Sequence, residues 1–275
     1  MNFKLIYISP NGSTRKTSEV LKTAIEKNGH TAELLDLGLG TNRNNYDIIF
    51  NKLKEADVVG FGSPAYHMDL LEPMQRLFEE MLLNPEVYHF KAFLYLNYAG
   101  ITSGKAFLNT AKLFAAMDIP IIGGMKVVSP HFHHQEPFPT AISESFIQSF
   151  YYQMQSNAFA SIKSERLYDM FSHQKIRVKL LYPLVHDFSK KRALTITILS
   201  EQCVSCGKCK RECPVGAISL DDTAVIDLEK CIHCYHCLTA CKLKAIEAPI
   251  EKLDQMIRIN KLIIGMEKPQ NYIYM

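Results

Sequence analysis

At 275 residues, 47% of them apolar, the chain is long enough for about two well-packed domains. Its formal net charge of +3 makes no demand for nucleic acid, and its aromatic residues are not interleaved with a basic patch as stacking platforms require. The longest apolar run near the end, Leu262-Ile263-Ile264-Gly265-Met266, falls far short of the ~20 residues of a membrane span. No signal-peptide pattern opens the chain, so a soluble, cytoplasmic protein is expected.

Lys4-Leu5-Ile6-Tyr7-Ile8 is a short apolar run ended by Ser9-Pro10-Asn11-Gly12, the pattern of a buried parallel strand entering a turn. A helix is expected next, because Thr14 to Lys27 sets Val20, Leu21, Ala24 and Ile25 on one face before Asn28-Gly29 stops it. The alternation then repeats: strand 32–37, a short helix near 46–54, strand 58–62, helix 70–83, strand 92–97, helix 105–117, strand 121–128, and a final amphipathic helix over 141–161. Five strands alternating with helices predict a doubly wound α/β domain with a five-stranded parallel sheet. Its ligand would lie beyond the carboxyl ends of the strands.

The first strand-to-helix loop, Ser9-Pro10-Asn11-Gly12-Ser13-Thr14, offers hydroxyls, an amide and backbone N–H groups at a helix N-terminus, which suits a phosphate. An ordinary Ser/Asn/Gly turn capping a helix is the alternative. The loop is neither a Gly-x-x-x-x-Gly-Lys-Ser/Thr loop nor a Gly-x-Gly-x-x-Gly fingerprint, which weakens the nucleoside triphosphate and dinucleotide readings. Gly38-Leu39-Gly40 reads as loop flexibility.

This loop resembles the phosphate loop of flavodoxins, Ser/Thr-x-Thr-Gly-x-Thr, with Asn11 where threonine is usual. The resemblance covers about residues 1–165 and implies the strand order 2-1-3-4-5. It also implies FMN, with the phosphate held by Ser9, Asn11, Gly12, Ser13 and Thr14. The ring would lie between the loops after the third and fourth strands, which carry Pro64, Ala65, Tyr66 and His67, and Asn97, Tyr98, Ala99, Gly100 and Gly104. Glycines let a backbone approach a flat ring, and Tyr66 or Tyr98 is a candidate to stack on it. If the flavin acts on a substrate, Tyr66, His67 and Tyr98 would line that face; no other catalytic residue is identified.

Between Pro130 and Pro139, His131, His133 and His134 invite a metal-site reading, against a plain surface loop; a proton-donating histidine near the flavin is a third. From Lys163 to Arg192 eight Lys/Arg face three carboxylates, with enough apolar residues for ordered packing. This basic connector, 166–193, reads as an interdomain brace or as a docking surface for an acidic partner.

All eight cysteines fall in Cys203-x2-Cys206-x2-Cys209-x3-Cys213-Pro214 and Cys231-x2-Cys234-x2-Cys237-x3-Cys241. This spacing suits two 4Fe-4S clusters, the fourth cysteine of each run ligating the other run's cluster. One cluster would take Cys203, Cys206, Cys209 and Cys241, and the other Cys231, Cys234, Cys237 and Cys213. Zinc would leave four thiols unexplained, and a disulfide framework would not leave the first ~200 residues without cysteine. Ala217-Ile218 and Ala245-Ile246 follow each run at one offset, marking an internal duplication; Lys242 departs from Pro214. Between the ligands, His233, Tyr235 and His236 are expected to face outward or to tune the cluster.

The stretch 194–248 resembles bacterial two-cluster ferredoxins, an α+β fold, and the whole chain resembles flavodoxin–ferredoxin fusion proteins of anaerobes. That resemblance implies electron transfer between two 4Fe-4S clusters and FMN in a reducing, low-oxygen cytoplasm. Partners would be a redox protein, acidic if the connector is its contact, and a small substrate. A pure shuttle or docking subunit is the alternative reading, and a homodimer stays open. The tail, 249–275, begins with helix-like spacing and is expected to pack back on the body.

Overall fold

The computed structural model describes residues 1–84, 88–100, 102–131, 136–158, 180, 194–264 and 270–275. Nearly all of the basic connector and residues 132–135 of the histidine loop lie outside the described residues.

The first domain alternates as the apolar runs predict: β1 (Asn2–Tyr7), α1 (Ser13–Lys27), β2 (Thr31–Asp36), α2 (Tyr46–Lys54) and β3 (Val58–Tyr66). There follow β4 (Asp69–Leu70), α3 (Glu72–Leu83), β5 (Lys91–Tyr98), α4 (Ala106–Ala116), β6 (Ile121–Val128) and α5 (Ala141–Ala158). Parallel pairing runs β2-β1-β3-β5-β6, the flavodoxin-like doubly wound order. Side chains alternating along each strand feed two cores. Phe61, Leu94 and Leu96 meet Phe78 and Phe114 on one face of the sheet, and Phe93 and Tyr95 meet Leu21, Phe150 and Tyr151 on the other.

Two features depart from the expected elements. Strand β3 continues past residue 62 to Tyr66 and folds back through His67 and Met68 onto β4, pairing Tyr66 with Asp69. Both turn residues have positive φ, 49° and 67°, the primed geometry that matches hairpin twist but suits glycine better. The turn is held from outside. Lys105 N–H donates to the Met68 carbonyl at 2.9 Å, Asn109 donates to Asp69 at 2.7 Å, and Gly104, φ 57°, packs so close to Met68 that a Cβ there would collide with its carbonyl.

The second departure is at the other end of the chain. Following β7 (Thr197–Ile198), α6 (Lys208–Glu212), β8 (Ile218–Leu220), β9 (Ala224–Ile226), α7 (His236–Ala240), β10 (Ile246–Glu247) and α8 (Ile250–Ile264), strand β11 (Tyr272–Tyr274) returns to the first domain. It pairs antiparallel with β6, Tyr274 opposite Gly124, and covers that sheet edge. The cysteine-bearing region builds its own core on Leu194, Ile196, Ala217, Ile218, Tyr235 and Ile246, with β7 on β10 and β8 on β9. Among the described residues no helix is long and apolar enough to cross a membrane.

Candidate functional site

The eight cysteines are carried by two arches with one backbone plan. In the first, Ser205, Gly207 and Gly216 have φ of 52°, 73° and 67°; in the second, His233, Tyr235 and Lys244 stand at the same offsets with φ of 50°, 59° and 53°. Each arch thus bends three times where a chain curls around a compact object. Each fourth sulfur also accepts a matching bond: Ala217 N–H to Cys213 Sγ at 3.2 Å and Ala245 N–H to Cys241 Sγ at 3.3 Å. Such N–H donors favour charge on a sulfur, which suits a ligated thiolate.

No two of these cysteines are disulfide-bonded, and among the described residues no three His, Cys, Asp or Glu side chains gather as a single-ion site. Desolvation, followed by the nearby thiols, raises Cys237 to about 12 and pushes Cys234 higher still. Cys213 is among the neighbours that raise Cys231, Cys234 and Cys237, and Cys209 also raises Cys237, so thiols of the first run act electrostatically on those of the second. Cys209 is raised by desolvation and then by Cys203 and Cys206. Buried thiols of this kind need a strongly bound metal centre to ionise.

Residues between the ligands are less outward than the sequence suggests. Tyr235 is 6% exposed, and its hydroxyl accepts the Leu194 N–H at 2.8 Å. His236 Nε2 pairs with Glu212 Oε2 at 2.9 Å, and desolvation outweighs that carboxylate in lowering its pKa.

At the carboxyl edge of the parallel sheet, Gly12 (φ 83°) is the N-cap of α1 and offers no capping side chain of its own. Ser9 Oγ accepts the Arg15 N–H at 2.9 Å, no acidic residue lies in the first turn, and Thr14 is buried. The first-turn N–H groups and helix dipole are therefore suited to an anion. Two buried amide oxygens at this edge, Asn11 Oδ1 and Asn97 Oδ1, have no hydrogen-bond partner. Their amide nitrogens are engaged, Asn11 with the Tyr66 hydroxyl at 2.9 Å and Asn97 with Thr17 Oγ1 at 3.1 Å. Unpaired buried acceptors are costly, so a ligand carrying hydroxyl or N–H donors would satisfy this edge.

Pro64, Ala65, Tyr66 and His67 border the edge and Ala99 is exposed on it, but Tyr98 is not presented there. It is 2% exposed, its hydroxyl donates to the Gln270 carbonyl at 2.6 Å, and the Lys126 ammonium lies 5.3 Å from its ring centroid. The same ammonium lies over Tyr272 and Tyr274 of β11, so the C-terminal strand claims Tyr98. Gly104, expected to admit a flat ring, instead admits the Met68 carbonyl.

Residues 202–245 match the family model for a 4Fe-4S dicluster domain. This stretch is a 4Fe-4S dicluster domain. Its eight cysteines imply two 4Fe-4S clusters. No curated protein sequence matches the chain. Among solved structures, the chain is similar to rubredoxin:oxygen oxidoreductase from Desulfovibrio gigas, with 16% identity, TM-score 0.46, and 58% of this chain and 37% of that one covered. It is also similar to a flavodoxin from the domain Archaea (18%, 0.44, 57% and 99%) and to flavodoxin 1 of Bacillus cereus (13%, 0.44, 57% and 98%). It thus spans little more than a third of the oxidoreductase and nearly all of each flavodoxin.

The dicluster domain packs directly on the candidate anion edge. The Tyr66 hydroxyl, which accepts from Asn11, also reaches the Cys234 carbonyl at 3.3 Å, and desolvation raises its pKa. The Arg43 guanidinium donates to the Cys213 carbonyl at 2.5 Å, and Ile232 packs against the first domain's core. Gly38 is not a flexibility device: a Cβ there would stand 2.8 Å from Ile8 Cδ1 and 2.9 Å from Pro214 Cβ, so its missing side chain lets the dicluster domain approach. Arg43 and Tyr66 act across the seam at sequence separations of 170 and 168. For Arg43 no local motif signals that role; at Gly38 the paired glycines are a signal of close approach.

Proposed function

We propose that this chain is an electron-transfer protein in which two 4Fe-4S clusters exchange electrons with an FMN held at the carboxyl edge of the flavodoxin-like sheet. Electrons would pass to or from a redox partner protein or a small substrate. The observation that carries this reading is the Tyr66 hydroxyl, which touches Asn11 of the anion loop and the carbonyl of Cys234. Two sites built for different cofactors therefore share one hydrogen-bonded contact.

The residues fit FMN on structural grounds. The start of α1, with glycine at its N-cap and no acidic residue in its first turn, suits its phosphate, and Asn11 Oδ1 and Asn97 Oδ1 offer acceptors for ribityl hydroxyls or a ring N–H. When bound, the clusters carry single electrons and FMN takes two of them with two protons. Gly12 and Thr14 would hold the phosphate, Asn97 would orient the ligand, and the clamped His67-Met68 turn would shape the edge beside it. Cys203, Cys206, Cys209 and Cys241 hold one cluster; Cys213, Cys231, Cys234 and Cys237 hold the other. The basic composition of 163–192 suits an acidic partner.

The test is an anaerobic preparation with iron, sulfide and flavin quantified together. The expected result is about eight irons, as many sulfides, and about one FMN per chain. Clusters without flavin would reduce the protein to a shuttle or docking subunit, and zinc in place of iron would end the reading.

A further inference from the structure

The two clusters would be chemically alike, yet their sites meet different surroundings. Around the set Cys213, Cys231, Cys234 and Cys237, three contacts come from the first domain: Tyr66 to the Cys234 carbonyl, Arg43 to the Cys213 carbonyl, and Ile232 against the apolar core. Cys213 and Cys234 are both buried. In the set Cys203, Cys206, Cys209 and Cys241, Cys209 is buried and Cys203 and Cys241 are half-buried, yet one ligand opens outward. Cys206 is exposed, and Val204 and Leu243, beside ligands of this set, are 68% and 50% exposed.

We propose that the clusters have fixed and different positions in the relay. The cluster on Cys213, Cys231, Cys234 and Cys237 is the inner centre, coupled to the FMN loop through Tyr66. The cluster on Cys203, Cys206, Cys209 and Cys241 is the outer centre, where single electrons are exchanged with a partner protein. The proposal rests on the electron-transfer reading above and adds to it an order and a positioning residue.

The hydrogen bonds at the seam run in one direction. Asn11 Nδ2–H donates to the Tyr66 oxygen, and the Tyr66 O–H donates to the Cys234 carbonyl; chains so aligned polarise one another. The positive end of the phenolic dipole therefore points at the backbone carbonyl of Cys234, a residue that carries one of the inner cluster's ligands. Reduction adds one negative charge to that cluster, so the dipole favours the reduced state. One electron delivered by the partner's own redox centre would oxidise that centre and reduce the cluster held by Cys203, Cys206, Cys209 and Cys241, and its passage to the cluster held by Cys213, Cys231, Cys234 and Cys237 would restore the outer site for the next.

The test uses the full chain with its cofactors. Tyr66→Phe keeps the ring and removes the hydroxyl, and Cys206→Ser strips an exposed ligand from the outer set. Redox titration followed by low-temperature electron paramagnetic resonance resolves each cluster. In Tyr66→Phe the iron content should stay at the wild-type value, and FMN is added to saturation before titration because Asn11 of the flavin loop loses its acceptor. One cluster should become harder to reduce by about fivefold in its reduction equilibrium, the scale of one hydrogen bond. That cluster should be the one whose signal survives in Cys206→Ser. Should Cys206→Ser fail to accumulate, a dysprosium chelate added to wild type and Tyr66→Phe makes the same assignment, because it relaxes the exposed outer centre more strongly. The proposal is overturned if neither cluster shifts, if both shift equally, or if the shifted cluster is the one lost in Cys206→Ser or relaxed by dysprosium. Wild-type protein with clusters but no FMN overturns the underlying reading instead, and the flavin assay alone tells the two failures apart.

Discussion

The two arches of the dicluster domain share cysteine spacing, three left-handed backbone positions and an N–H to the fourth sulfur, yet they differ where each meets its surroundings. Pro214 is buried against Gly38, whereas Lys242 at the same offset is exposed. Gly207 takes a left-handed conformation without strain, whereas Tyr235 takes it with a side chain, at a cost of about 1–2 kcal/mol. Its buried ring and its bond to Leu194 N–H offset that strain. What repeats is what cluster ligation needs from a backbone; what diverges is set position by position, by whether a residue meets the first domain, as Pro214, Ile232 and Cys234 do, or solvent, as Val204 and Lys242 do.

Breaking one arch is the strongest way to test this asymmetry. Cys234→Ser and Cys206→Ser should each lower the iron content from about eight to about four per chain. Only Cys234→Ser should also raise the protease sensitivity of the seam, because its backbone receives Tyr66. Equal sensitivity in both variants would argue that the arches are interchangeable. Next in size, Gly38→Val should force Pro214 and Ile8 apart and cost about 1–3 kcal/mol, read as a lower urea midpoint. Tyr235→Phe leaves the Leu194 N–H buried without a partner and should cost about 1–3 kcal/mol in the same measurement; Phe at wild-type stability would show that the ring alone holds that position. The smallest effects sharpen the comparison most. Gly216→Ala should cost about 1 kcal/mol, whereas Lys244→Gly should change stability by less than about 0.5 kcal/mol, since relieved strain and added chain entropy nearly cancel.

The parallel sheet is legible in the sequence because each buried strand is a compact apolar run, as in Lys4–Ile8, followed by a helix with one apolar face. The dicluster domain is legible because eight thiols at fixed spacing leave few other chemistries. What escapes the sequence depends on long-range approach. Strand β4 is only two residues long, and its turn carries His67-Met68 where glycine would have announced a hairpin. Tyr98 resembles a ring platform until β11, more than 170 residues later, supplies Gln270 and two tyrosines around the same lysine. Tyr66 looks like a stacking residue for the same reason: its partner Cys234 belongs to the other domain.

Because β11 is zipped onto β6, the dicluster domain is not a pendant at the end of the polypeptide. It lies in sequence between two segments, α5 and β11, that both belong to the flavodoxin-like sheet assembly. A pendant could swing away or be clipped off by a single cut on one side. A unit anchored before and after itself must be released twice, so the contacts of the seam form at an effective concentration that dilution does not change.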